Sequence, residues 1–195
     1  MGTGSPSEVA GVAALVVALA SSRPATLGPG RLVCVDGPAG SGKTTLGAEI
    51  AALTGAHVVH GDDLMEGWAG FATVSRQLTG LVRALAAGRP GSYEVYDWHQ
   101  GRFDGTVTVP PAPWLVVEGV GSGDPAIAAY VTTLVWVEVG DDLRLARGLA
   151  RDGAHMEPHW REFMGSERAL FDRHRTQERA DVLVDGTGAR PPVVR

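Results

Sequence analysis

A single lysine, Lys43, stands among sixteen arginines and lies in the segment Gly37-Pro-Ala-Gly-Ser-Gly-Lys-Thr, which fits the pattern G-x-x-x-x-G-K-[ST]. Glycines at this spacing let backbone N–H groups turn inward around a phosphate, and a helix N-terminus adds positive potential. The lysine supplies a compact, mobile ammonium for the terminal phosphates, whereas the arginine guanidinium is bulkier and planar. Thr44 adds a hydroxyl for Mg²⁺. The segment therefore predicts nucleotide and Mg²⁺ binding, without distinguishing a kinase from a GTPase or a motor.

The context of this segment agrees with the prediction, because an apolar run precedes it and a helical pattern follows it. We expect the whole loop to contact the nucleotide. The predicted nucleotide-binding residues are Gly37, Pro38, Ala39, Gly40, Ser41, Gly42, Lys43, Thr44 and Thr45.

Carboxylates follow three of the apolar runs, at positions where ligands bind to open parallel sheets. Asp62 and Asp63 follow the second run, and a carboxylate there could take the proton of a hydroxyl that receives phosphate. We favour Asp62 as this base, and as a further contact to Mg²⁺, with Asp63 as the second choice. Glu118 is predicted to order Mg²⁺ or its waters. Asp36 could orient the loop or act directly. A solvated turn or a helix cap is the alternative for Asp62 and Asp63, and a surface turn is the alternative for Glu118.

Arginines recur at Arg144, Arg147 and Arg151, a spacing of three and four that places them on one helix face. Such a row suits the oxygens of a phosphoryl group in transfer, so we predict that Arg144 binds the nucleotide and that Arg147 and Arg151 act in catalysis. Ion pairs on a solvated helix would explain the same spacing.

Aromatic residues between the second run and residue 98 could stack on a base or a sugar, or simply pack in the core. The predicted acceptor contacts are Asp63, Trp68, Tyr96, Trp98 and Arg102, the last of which could instead face water.

Short apolar runs alternate with helical patterns along the chain. The runs are continuous rather than alternating, which indicates strands buried on both faces of a parallel sheet. We predict a three-layer α/β fold with a central parallel five-stranded sheet and helices on both faces, in one domain over residues 1–195. A helix capped by Ser5 with Pro6 in its first turn should precede the sheet, and the tail 186–195 should be partly disordered. The predicted strands are Leu32–Val35, Ala56–His60, Trp114–Val117, Leu134–Val139 and Val182–Val184, with smaller ones at Tyr93–Trp98 and Thr106–Val109.

Composition limits the partners. The net charge of −5 without a basic patch argues against nucleic acid as a partner. The apolar stretch 9–20 is too short to span a bilayer, so no membrane partner is predicted. Cys34 is the only cysteine and lies in an apolar run, which fits a buried thiol in a reducing cytoplasm. A homo-oligomer remains an option.

The order of these motifs resembles the uridine kinase-like family of P-loop small-molecule kinases, over about residues 32–185. The family's D-x-F-Y segment is similar to Asp62-Asp63-Leu64-Met65, its Y-D-F to Tyr96-Asp97-Trp98, and its strand ending in E-G to Glu118-Gly119. The pattern R-L-x-R…R-D matches Arg144 to Asp152. No counterpart of the F-D-H-P block, whose Asp holds the ribose hydroxyls in that family, occurs between residues 68 and 96.

The resemblance implies transfer of the ATP γ-phosphate to a hydroxyl of a small molecule. It implies that Asp62 is the base, that Arg147 and Arg151 lie in a lid over the phosphates at about 141–165, and that Tyr96 and Trp98 line the acceptor pocket. Three alternatives stay open: a nucleoside monophosphate acceptor, another metabolite such as a sugar acid, and a nucleotide-dependent switch without an acceptor. A monophosphate would need cations, and the candidates are Arg76, Arg83, Arg89 and Arg102.

Overall fold

A computed structural model of the chain describes residues 6–195, so the predicted cap at Ser5 lies outside the described residues. The prediction of a central parallel sheet with helices on both faces is confirmed, but the sheet has six strands instead of the predicted five, because a short antiparallel strand is added at one edge. The six-stranded sheet has the order β2-β5-β1-β6-β7-β8, and only β8 runs antiparallel. Its strands are β1 (Arg31–Asp36), β2 (His57–His60), β5 (Trp114–Glu118), β6 (Thr133–Glu138), β7 (Val182–Asp185) and β8 (Val193–Val194).

Two further strands, β3 (Gly91–Asp97) and β4 (Arg102–Val109), form a separate antiparallel hairpin beside the sheet. The helices are α1 (Pro6–Ser22), α2 (Lys43–Thr54), α3 (Gly61–Leu64), α4 (Phe71–Ala86), α5 (Asp141–Asp152), α6 (Glu157–His174) and α7 (Thr176–Arg179). Short 3₁₀ turns cover Gly67–Ala69, Pro125–Tyr130 and Ala154–Met156.

Successive side chains of a strand point to opposite faces of the sheet, so the core consists of two clusters, one on each face. Leu32 and Cys34 of β1 pack in one cluster with residues of α4 and α6, whereas Val33 and Val35 pack with α1 and α2. Because apolar residues cover both faces of the central strands, these strands appear in the sequence as continuous apolar runs. In the described part of the chain, no helix is long and apolar enough to cross a membrane.

The prediction that the tail 186–195 is partly disordered is wrong. The tail is ordered, because Val193 and Val194 pair with Leu183 and Val182 and so cover the otherwise unpaired edge of β7. The helical pattern over residues 158–178 forms two helices, α6 and α7, because Arg175 between them adopts a left-handed conformation with a φ of 48°.

Candidate active site

The glycine-rich loop joins the end of β1 to the start of α2. Gly37, Gly40 and Gly42 all have φ values in the left-handed region, at 138°, 79° and 104°. A Cβ atom on Gly37 would lie 2.1 Å from the carbonyl oxygen of Val137, so only glycine fits there. No side chain caps α2 at Gly42, which leaves the start of this helix available to an anion.

Lys43 lies over this loop and is only 7% exposed. Its Nζ atom donates a hydrogen bond of 2.9 Å to the carbonyl oxygen of Pro38, across the span where a phosphate would sit. The ammonium is therefore already directed at the loop, and its bond to Pro38 can be exchanged for bonds to phosphate oxygens.

Asp36 holds the loop from below. Its Oδ1 atom accepts hydrogen bonds from the backbone N–H groups of Gly37 (2.7 Å) and Gly121 (2.9 Å), and Oδ2 accepts one from Gly123 (2.8 Å). Burial raises the pKa of this carboxyl to about 6, against the lowering effect of these bonds and of Lys43. Of the two roles considered, this geometry matches the orienting one: Asp36 ties the phosphate loop to the loop that follows β5.

Glu167 of α6 holds the loop from the side, and sequence reasoning missed it. Its Oε2 atom accepts a hydrogen bond of 2.9 Å from the N–H of Ala39, while Oε1 pairs with the guanidinium of Arg144. Arg144 is 2% exposed and also bonds Asp141 at 2.9 Å. The prediction that Arg144 binds the nucleotide is therefore corrected: its side chain lies behind the loop and anchors Glu167.

Thr44, at the start of α2, contacts Glu118 at the C-terminal end of β5. The Thr44 hydroxyl donates to Glu118 Oε1 at 3.2 Å, and His60 Nδ1 lies 2.7 Å from the same oxygen. No group of three or more metal-binding side chains occurs among residues 6–195. Mg²⁺ commonly takes one or two protein oxygens and completes its shell with phosphates and water, so Thr44 and Glu118 fit this ion.

Asp62 and Asp63 lie on α3, directly after β2. The ends of β2 and β5 approach closely here, because Gly61 and Gly119 have no side chains; a Cβ atom on Gly119 would lie 2.7 Å from the Cα atom of Gly61. Both carboxylates line the same cleft as Lys43. Burial raises the pKa of Asp63, and the negative charges of Asp62 and Glu118 add to this effect.

Aromatic residues form the wall opposite the phosphate loop. The Trp68 ring contacts Trp98, Phe163 and Trp160 edge to face, with centroids 5.7, 5.5 and 6.3 Å apart. Trp98 also donates from Nε1 to the carbonyl oxygen of Asp62 at 3.1 Å. The sequence pointed to Trp68 and Trp98, but it missed Trp160 and Phe163, which come from α6.

Tyr96 and Arg102 were predicted as acceptor contacts and do not line the cleft. The Tyr96 ring packs between Trp98 and Phe103 on the hairpin, with centroids 5.3 Å away in both pairs. Arg102 is exposed and donates twice to the Gln100 side chain. Both residues therefore support the hairpin that presents Trp98.

Arg147 and Arg151 of α5 both line the cleft. Arg147 donates to the carbonyl oxygen of Gly40 at 2.8 Å, directly on the phosphate loop. Arg151 forms an ion pair with Asp152 at 2.7 Å, and Asp152 also accepts from Trp160 Nε1 at 2.9 Å. Trp160 reaches this position because Gly148 of α5 has no side chain. The two helices that carry these residues thus connect the phosphate loop to the aromatic wall.

Two of the cavities formed by residues 6–195 lie against the loop and are large enough for a ligand. The cleft described above encloses about 510 Å³ and brings together Lys43, Thr44, Glu118, Asp62 and the aromatic wall. The second encloses about 560 Å³ and is lined by Ser41 and Thr45 of the loop region, by α1 and by the C-terminal segment 184–192. The buried Ser41 hydroxyl has no hydrogen-bond partner among the described residues.

Similar folds occur among solved kinase structures. One is a possible uridine kinase from Bacillus stearothermophilus, with a TM-score of 0.64 and 19% identity over 92% of this chain and 98% of the other. Another, provisionally assigned as a fructose transport system kinase from Silicibacter sp. TM1040, has a TM-score of 0.59 and 20% identity over 84% of this chain and 94% of the other. No family model matches the chain, and no curated protein matches it as a relative. The likeness therefore establishes a shared fold.

Proposed function

We propose that this chain, which has the fold of those kinases, is an ATP-dependent kinase that phosphorylates a hydroxyl of a small molecule. One observation carries the proposal: a single cleft holds the phosphate loop with Lys43, a hydroxyl and carboxylate pair for Mg²⁺, and the carboxylate of Asp62. A binding module would need the loop but not the acid beside an apolar-walled space. Phosphoryl transfer to a hydroxyl is the reaction that uses the phosphate loop and the Asp62 carboxylate together in one cavity.

The phosphates of ATP would bind the loop amides and Lys43, and the base would occupy the second cavity. That cavity touches the loop at Ser41 and Thr45, and its remaining lining is largely apolar. Mg²⁺ held by Thr44 and Glu118 would neutralise charge on the β and γ phosphates.

In the transfer step, the acceptor oxygen forms a bond to the γ-phosphorus as the bond between that phosphorus and the β,γ-bridging oxygen breaks. The electron pair of the broken bond stays on ADP, and the hydroxyl proton passes to Asp62 and then to solvent. Lys43, Arg147 and Arg151 would stabilise the charge on the moving phosphoryl group. Arg147 already touches the loop at Gly40, and Arg151 lies on the same helix with its guanidinium at the cleft.

The competing acceptor classes are less well supported. Arg76, Arg83, Arg89 and Arg102 were the cations available to bind a monophosphate, and none of them lines the cleft. A switch protein without an acceptor would not explain the aromatic wall beside Asp62. The guanine-binding motif N-K-x-D is also excluded, since Lys43 is the only lysine.

The test is an ADP-release screen with Mg·ATP over nucleosides, nucleotides, sugars, amino alcohols and vitamins. We expect one class to raise ADP release, with turnover reduced at least about 100-fold in Asp62→Asn and ATP binding lost in Lys43→Ala. Asp172→Asn, a substitution of an exposed carboxylate outside the cleft, is the matched control. Full acceptor-dependent turnover in Asp62→Asn would remove Asp62 from the role of base.

A further inference from the structure

The acceptor end of the cleft carries an excess of negative charge. Four carboxylates line the cleft, namely Asp62, Asp63, Glu118 and Asp152. Three cations face them: Lys43 and Arg147 at the phosphate loop, and Arg151, which is paired with Asp152. Glu118 belongs to the predicted Mg²⁺ site. Asp62 and Asp63 form no ion pair within the described residues 6–195. Arg151 lies close enough to Asp62 for their charges to interact, so Asp63 is the carboxylate at the acceptor end that has no arginine or lysine beside it.

Binding of Mg·ATP increases this excess. The complex carries a net charge of about −2, and its phosphates would engage Lys43 and Arg147, the cations nearest to them. Only one of the two aspartates is needed to receive the hydroxyl proton. The second would remain next to a growing negative charge unless the acceptor compensates it, and His60, which also faces Asp63, is bonded to Glu118.

The aromatic wall suits the same kind of ligand. Trp68, Trp98 and Phe163 line the space next to the two aspartates, and the wall is partly open because the Trp98 side chain is 41% exposed. Indole faces attract cations through their ring electrons, most strongly where a carboxylate lies nearby and water is partly excluded. An anionic acceptor would meet repulsion at this end, and a neutral one would leave Asp63 uncompensated.

We propose, on the basis of the function proposed above, that the natural acceptor is a cationic alcohol. Its amine or quaternary ammonium group would be held by the Asp63 carboxylate and the indole rings of Trp68 and Trp98, while its hydroxyl faces Asp62 and the γ-phosphate. The transfer itself is unchanged: the hydroxyl oxygen bonds to phosphorus, ADP leaves with the electron pair, and Asp62 takes the proton.

Binding is tested first, without phosphotransfer, because three tryptophans of the wall report on it by fluorescence. Choline and 3,3-dimethylbutan-1-ol have the same shape and differ in charge, so the pair isolates the effect of a cation. We expect choline to bind about tenfold more tightly than its neutral counterpart. This preference should disappear in Asp63→Asn and stay in Asp172→Asn. Equal binding of the two alcohols overturns the inference.

Turnover is tested next, with acceptors supplied as such charged and neutral pairs in the ADP-release assay. We expect the best acceptor to be cationic, and Asp63→Asn to raise its KM about tenfold with a smaller change in kcat. A neutral or anionic best acceptor overturns the inference and leaves the kinase proposal standing. Loss of kcat in Asp63→Asn with both members of a pair also overturns it, because Asp63 would then be the base. If no alcohol is phosphorylated while choline still binds through Asp63, the kinase proposal fails and the cation site stands.

Discussion

Replacement of Glu167 by glutamine tests whether the buried pair with Arg144 supports the phosphate loop. Glu167 is 0% exposed, and Arg144 2%. Removal of one partner from a buried ion pair costs about 3–5 kcal/mol, because the other charge stays buried without compensation. Two features place Glu167→Gln at the lower end: the amide oxygen can still accept from Ala39, and Arg144 keeps its bond to the partly exposed Asp141. We expect a loss of about 3 kcal/mol.

The measurement is urea unfolding of wild type, Glu167→Gln, Arg144→Met and the double variant. If the pair acts as a unit, the double variant should lose no more stability than either single variant, since no buried charge is left over. Glu162→Gln, an exposed position on the same helix, should change the free energy of unfolding by less than about 0.5 kcal/mol. Losses that add in the double variant, or a Glu167→Gln loss as small as that of the control, would refute the coupling.

Three further predictions concern Asp36, Gly148 and Glu118. Unfolding returns the pKa of Asp36 from about 6 to its ordinary 3.8, so the wild-type free energy of unfolding should fall by about 3 kcal/mol as the pH rises from about 4 to about 6. Asp36→Asn should lack that decline in urea titrations at each pH, and a decline of equal size in the variant would contradict the assignment. Gly148→Ala places a Cβ atom 2.3 Å from the Trp160 ring and should cost about 1–3 kcal/mol in thermal unfolding, whereas Gly165→Ala, an open helical position, should be neutral or stabilising. Glu118→Gln should raise the Mg²⁺ concentration for half-maximal ADP release about tenfold, and an unchanged Mg²⁺ dependence would exclude Glu118 from the metal site.

Local patterns allowed much of the fold to be predicted. The phosphate loop depends on glycine positions and on a strand followed by a helix, all of which lie within a short segment. The strands β1, β5 and β6 appear as continuous apolar runs because both of their faces are buried, whereas the edge strand β2 is partly exposed and its apolar run is weaker. The strand β8 has only two residues, and its pairing depends on the free edge of β7, which the sequence of the tail does not reveal.

The parts of the site that could not be predicted depend on contacts between distant residues. Ala39 and Glu167 are 128 positions apart, and an isolated glutamate on a charged helix gives no sign that it is buried. Trp160 belongs to the wall only because Gly148 leaves room for it. Tyr96 was predicted to contact the acceptor, but its ring packs against Trp98 and Phe103 within the hairpin. The periodicity of the sequence does not determine which way this side chain points.

The burial of Lys43 gives the chain an unusual property as a substrate for proteolysis. A protease specific for lysine has one peptide bond to cut, between Lys43 and Thr44, at the junction of the loop and α2. Cleavage requires this segment to leave its folded conformation, so the rate of appearance of the two fragments reports how often the segment at the nucleotide site unfolds. A nucleotide that occupies the loop should slow this cut, which would make fragment formation a direct titration of occupancy that needs neither label nor acceptor.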